Sequence, residues 1–556
     1  AHPGGTGPLN DPTAILYVRT SDLEPADKLG WKDDPNCQET NEKNGKTKPA
    51  EDPTTLASCP VKLKADAPVE PLVLRANAGD CIEVVLRNRL PEAAPDLAGY
   101  QDMMWVVNRE LGVPGVDAEG KIIPNARGNE MHFFNNNLIR PSSHVGLHPQ
   151  LVAYDVNQHD GVQVGTTDDF DEEFQLAPPG GSKFYRWYAG DIRFVTEGVD
   201  PAACEGDVDR KGGKGGGNGK GGGPNNSTPK CVEIVATPVE FGGTNLLSAD
   251  RVKQPQKGLF GALVIEPEGA CHPDSAPSAT CTPPALESVA DGQGQGMDTR
   301  LTRAQADISS PAGSAGSGGN YREALSIGHK IANLRWKDGS PIRNVNQLEL
   351  GREGAEDSGH AGFNYGMEPP WYRFMVPPDV PFGNAGTPGS YGAIPNAHAM
   401  YANQLVAGET NSLPDGDPAT PVFTAESGQA TRMYVLNGAS ADRDGTFILH
   451  GHLWQRDPYV CPGENDLGLT GKCYTSIDTV DSTALGMNPI GKWMGSQEGM
   501  GHAYGHWPIL FNAGGTNAAS LGCSATQPCD FLFRDYSPSG NRNGQFGILR
   551  VKPAEQ

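Results

Sequence analysis

Two stretches of this chain repeat each other, and that repeat constrains the fold more than any other feature does. PLVLRANAGDCIEVVLRN, from Pro71 to Asn88, aligns with VFTAESGQATRMYVLN, from Val422 to Asn437. Ala76, Gly79 and Asn88 then match Ala425, Gly428 and Asn437 at one constant spacing. Each copy reads as a strand, a Gly turn and a second strand of alternating polarity. Further on, GLFGALVIEP from Gly258 to Pro267 matches GQFGILRVKP from Gly544 to Pro553 at a smaller constant spacing. The spacings differ because the first copy carries longer insertions. One lies between Tyr100 and Asn137; another contains KGGKGGGNGKGGG at 211–223, which has no apolar side chains to pack. The chain holds 72 Gly and 47 Pro in 556 residues, a composition of turns and short strands. The expected fold is all-β: two Greek-key β-sandwich domains with long loop insertions, at 12–268 and 320–553, joined by a linker at 269–319.

Charge and motifs then narrow the function. The formal net charge is −23, so a phosphate backbone is repelled and nucleic acid is not an expected partner. No run of about 18 apolar residues exists from which to build a transmembrane helix. G-x-S-x-G, H-E-x-x-H, Walker A and a Rossmann G-x-G-x-x-G after a strand are all missing, which leaves hydrolase, kinase and nicotinamide-enzyme readings without support. Asp155 to Gly161 and Asp442 to Gly445 look like calcium loops, but neither has the Glu six residues after the Gly; turn chemistry explains them.

The eleven cysteines fall mostly in close couples: Cys37/Cys59, Cys204/Cys231, Cys271/Cys281, Cys461/Cys473 and Cys523/Cys529. Couples among Pro, Gly and Asn read as loop-closing disulfides, which persist in an oxidising compartment. Thiolate metal sites are the alternative, disfavoured by the lack of any C-x-x-C. Cys81 is left over and reads as a buried free thiol. The start at Ala1-His2-Pro3 fits a mature secreted chain, and Asn225-Asn226-Ser227-Thr228 holds two overlapping glycosylation sequons. A secreted, periplasmic or cell-surface location is expected.

The order of short motifs carries a family likeness. The first copy reads Gly79-Asp80, Asn88, Ser142-Ser143-His144, Asp160-Gly161-Val162, Pro179-Gly180, Tyr185-Arg186-Trp187-Tyr188-Ala189-Gly190 and Gly258 to Pro267. The second supplies Leu436-Asn437-Gly438, Leu449-His450-Gly451-His452 and Phe546 to Val551. Together they resemble the first and last cupredoxin domains of multicopper oxidases. His148-Pro-Gln-Leu-Val-Ala-Tyr-Asp155 and Gly495-Ser-Gln-Glu-Gly499 are most similar to the bacterial branch that includes manganese-oxidising members.

The resemblance implies a type 1 copper held by a Cys thiolate and two imidazoles, and a trinuclear cluster held by four His-x-His pairs. The first pair is represented by His144-Val-Gly-Leu-His148, with its imidazoles four apart, and the second falls in Gly243 to Arg251, which has no His. The third corresponds to His450-Gly-His452, with Gly445 and Ile448 where further His residues are implied upstream. At the fourth, His-Cys-His, the chain has Arg534-Asp535-Tyr536, and the axial Met position is Gln545. A type 1 centre therefore lacks its sulfur. Arg534-Asp535 is expected to pair internally.

His144, His148, His450 and His452 are the candidate metal ligands, with His148 and His450 on matching strands; His502 and His506 follow. Each has an alternative as an ordinary hydrogen-bonding side chain. Two functions are expected from this. One is a copper-dependent oxidase of metal ions or small organic molecules with fewer than four coppers. The other is a redox-inactive structural, binding or assembly protein on the same scaffold, acting as a homo-oligomer or with an extracellular partner.

Overall fold

The computed structural model describes residues 9–40, 45–95, 107–108, 113–114, 141–162, 175–195, 233–251, 253–289, 300–311, 319–331, 334–336, 339, 360–369, 372, 418–439, 445–455, 459–460, 481–482, 493–498, 506–514, 528–536 and 544–553. The named elements are all strands and short 3-10 turns, and the protein is all-β, as the repeat predicts. In the first repeat Leu72–Asn77, Phe260–Glu266, Gly242–Leu247 and His148–Pro149 form a four-stranded sheet in that spatial order. Cys81–Arg87 pairs antiparallel with Ser182–Tyr188 as a second layer. Alternation puts Ile82, Val84, Tyr185 and Trp187 against Leu246, Leu263 and Ile265 of the first sheet, and these close one core.

The second repeat has two larger sheets. Val422–Glu426, Phe546–Lys552, Cys529–Asp535, Thr446–Leu449 and Ser496–Glu498 make one; Gln305–Ile308, Tyr321–Ile331, Ala430–Ala439 and His506–Asn512 make the other, with His360–Phe363 beside 321–331. The backbone keeps the sequence repeat in register. Ala76 lies opposite Ile265 and Ala425 opposite Val551, each in a parallel pair. Gly79 N–H donates to Ala189 C=O at 2.8 Å, and Gly428 N–H to Ala513 C=O at 2.9 Å. Both glycines turn with positive φ, 89° and 83°, a conformation costly for any residue with a Cβ.

Strand Phe260–Glu266 is buried along its whole length. Leu263 and Ile265 face the core of the first repeat, whereas Phe260, Ala262 and Val264 join Val435, Leu436 and Ile509 of the second. The seam is tight enough to exclude side chains. A Cβ on Gly243 would lie 2.5 Å from the Tyr434 ring, and one on Gly438 would lie 2.3 Å from Phe260. Apolar burial therefore runs from one repeat into the other.

Cys37–Cys59 and Cys271–Cys281 are disulfides, and Cys529 is disulfide-bonded as well. Cys204, Cys231, Cys461, Cys473 and Cys523, the sequons and the 211–223 tract lie outside the described residues. Cys81 is free but exposed, which corrects the expected burial. It shares the outer face of its strand with Glu83 and Val85, while Ile82 and Val84 point inward. No helix among the described residues is long and apolar enough to cross a membrane.

Candidate functional site

The paired registers fix which residues of the two repeats are equivalent. Leu247 lies opposite Phe260 and Arg534 opposite Phe546, so Leu247-Ser248-Ala249 is the first repeat's counterpart of Arg534-Asp535-Tyr536. On the neighbouring strands His148 faces Leu247 and Ile448 faces Arg534. His148 thus corresponds to Ile448, and His450 to Gln150. His148 and His450 thus belong to corresponding strand segments, displaced by two residues, one full pleat along the strand.

Around His450 the second repeat supplies its own polar contacts. Arg534 Nε donates to His450 Nε2 at 3.2 Å, and its guanidinium lies 5.1 Å from the centre of the Tyr536 ring. A neutral imidazole that accepts at Nε2 carries its proton at Nδ1, so no lone pair is left for a metal. Burial and then the Arg534 charge both push the His450 pKa down. His452 is 3% exposed and wedged between Phe511 and Phe531, with ring centres 4.9 and 4.6 Å away. Its Nδ1 lies 3.1 Å from the His450 carbonyl, which can only accept, and its Nε2 accepts Gly514 N–H at 2.9 Å. Both ring nitrogens are therefore committed. Burial lowers its pKa, against a smaller pull from the His450 carbonyl.

Asp535 stands where the resemblance implies a Cys, on the opposite face of the strand from Arg534. Its Oδ1 accepts Thr446 N–H at 3.1 Å and closes on Gly445, where a Cβ would lie 3.2 Å away. The expected Arg534–Asp535 pair is replaced by Arg534–His450 and Asp535–Thr446, because neighbours on a strand point to opposite faces. Gln545, also buried, accepts Asp535 N–H through its backbone carbonyl at 3.2 Å.

In the first repeat His148 Nδ1 sits 2.8 Å from the Asp160 carbonyl and 3.3 Å from Asp160 Oδ1, which also accepts the Tyr154 hydroxyl at 3.2 Å. His144 is held through its backbone: its N–H donates to Ser142 Oγ and its carbonyl accepts Gln254 Nε2. His506 is half-buried opposite Leu436, and burial lowers its pKa; His502 lies outside the described residues. Among the described residues no three His, Cys, Asp or Glu side chains converge as a metal site. The residues at the positions where the resemblance implies copper ligands do not fit a copper centre: one offers a guanidinium, one a carboxylate already bonded to backbone, and two imidazoles have no free lone pair.

Sequence reasoning passed over the buried charges. Arg75, Glu266 and Glu323 have fully shielded side chains. His329 is buried between Phe260 and Tyr365 with neither ring nitrogen hydrogen-bonded, and burial pushes its pKa down to about 4, against a smaller pull from the Ile327 backbone. The signal was a charge inside an apolar run, as in LVLRAN and FGALVIE.

No family model and no curated protein matches this chain. Among solved structures it is similar to a copper nitrite reductase from Nitrosomonas europaea, at 10% identity over 92% of this chain and 90% of that one, with a TM-score of 0.30. A multicopper oxidase follows at 9% identity, 73% and 70% coverage and a TM-score of 0.28. A laccase from Botrytis aclada gives 10%, 73%, 42% and 0.28. The class of the molecule follows from its own strand pairing: an all-β protein of two sandwich repeats sharing one seam.

Proposed function

We propose that this chain is an extracytoplasmic structural or binding protein on a cupredoxin-like scaffold, no longer an electron-transferring copper oxidase. The observation that carries the reading is the Arg534–His450–His452–Gly514 chain of hydrogen bonds, which engages His450 and His452 within the protein. A cation placed beside His450 would meet a guanidinium instead of a lone pair. The two disulfides support a location outside the reducing cytosol. Domains at 12–268 and 320–553 go with this reading, with strand Gln305–Ile308 added to the second.

The oxidase reading keeps one support. His148 has its Nδ1 anchored by Asp160, the arrangement that orients an imidazole to bind through Nε2. Oxygen consumption by copper-loaded protein, with manganous ion, ferrous ion and a phenol as electron donors, separates the two. The proposal expects no turnover above that of free copper; turnover abolished by His148→Ala would overturn it.

A further inference from the structure

Where the two repeats meet, one guanidinium faces two carboxyl groups. Arg75 and Glu266 come from strands Leu72–Asn77 and Phe260–Glu266 of the first repeat, and Glu323 from strand Tyr321–Ile331 of the second. All three side chains are fully shielded from solvent. Glu323 Oε1 accepts from Arg75 Nε at 3.0 Å and from Arg75 Nη2. Glu266 Oε1 stays 3.8 Å from Arg75 Nε, outside hydrogen-bond distance, and Glu266 Oε2 accepts the Tyr321 hydroxyl. Each acid keeps one buried oxygen, Glu266 Oε1 and Glu323 Oε2, that has no donor.

The surrounding charges are already matched. Arg432 pairs with Glu240 and stacks on Tyr321 at 4.1 Å. Asp274 is gripped by Arg19 and by the Arg75 N–H. Glu70 accepts the Thr302 hydroxyl and the Arg303 N–H, and Arg303 pairs with Asp22. His272 and Tyr434 are buried and stay neutral. Among the described residues no second cation pairs with the second acid, and an unpaired carboxylate in a dry seam is strongly disfavoured.

We propose that Glu266 and Glu323 hold one proton between them in the folded protein, making the seam between the repeats a lock that loosens on the alkaline side. Both carboxyl groups converge on the same Arg75 Nε, and each keeps a buried oxygen that has no hydrogen to accept unless one of the acids is protonated. Burial first, and then the neighbouring Glu323 charge, raise the Glu266 pKa well above 4.5, outweighing Arg75 and Tyr321. A carboxyl group raised on folding takes up a proton as the chain folds. Its contribution is complete below the ordinary carboxylate range and is lost as pH rises towards its folded value.

The test is the pH dependence of urea unfolding for the full chain and for Glu266→Gln and Glu323→Gln. Either substitution leaves Arg75 one acid partner and removes the need for the proton. From about pH 5.5 upward, the unfolding equilibrium constant of the native sequence should rise about tenfold per pH unit relative to either variant, the slope of one proton. Parallel profiles in all three would overturn the proposal. Infrared spectra at neutral pH give a second readout: a protonated-carboxyl carbonyl band present in the native chain and missing from both variants supports the shared proton, and a native spectrum without that band overturns it.

Discussion

Replacing His452 by Ala asks whether that imidazole is a ligand or part of the core. The substitution removes a donor to the His450 carbonyl and an acceptor for Gly514 N–H, both in a site only 3% exposed. Stranding a buried backbone group costs about 1–3 kcal/mol, and losing edge-on contact with Phe511 and Phe531 removes about 0.5–1.5 kcal/mol per ring beyond area burial. Together these give about 4 kcal/mol, which for a domain of this size lowers the melting temperature by about 10 °C. Scanning calorimetry measures the shift, and metal analysis of the same samples after copper dialysis measures any binding. A variant that melts with the native chain yet loses bound copper would refute the reasoning, because a ligand and not a core residue would have been removed.

Arg534→Ala frees His450 Nε2 and removes the neighbouring positive charge, so the His450 pKa should move up towards 6.5 in an NMR titration; no movement would show that the Arg534 contact is unimportant. His329 titrates near 4 when folded and 6.5 when unfolded, so stability is complete above pH 6.5 and falls by about 3 kcal/mol as pH drops to about 4. His329→Phe should flatten that acid limb in urea titrations, and an unchanged limb would contradict the burial argument. Reducing Cys37–Cys59, which closes 22 residues, should cost about 3 kcal/mol, while a thiol reagent should label Cys81 in the native protein before any reduction. Peptide mapping with Cys81 unmodified would show the outer face of its strand to be covered.

The repeat was legible because it is written in backbone needs. Gly79 and Gly428 occupy positive-φ turns, and Ala76 and Ala425 share a register, so the same residue types recur wherever the same geometry does. The candidate site was legible only as a set of losses. Arg534-Asp535-Tyr536 announced that the sulfur was missing, but not that Arg534 would turn to His450, since partners across strands depend on register. The same cause hid the two-residue offset between His148 and His450, because a two-residue slip leaves the polarity pattern unchanged. The Arg75–Glu266–Glu323 cluster was invisible for a different reason. Each charge sits singly in its own strand, and only the docking of one repeat on the other brings the three together.

In the proposed reading, side chains of the protein itself occupy the positions where the resemblance implies copper ligands. Copper loading of the purified chain, followed by metal analysis and a visible absorption spectrum, addresses it most directly. The account predicts no intense thiolate-to-copper band and no copper retained at His450 or His452 after dialysis. A blue protein holding several coppers per chain would contradict it outright.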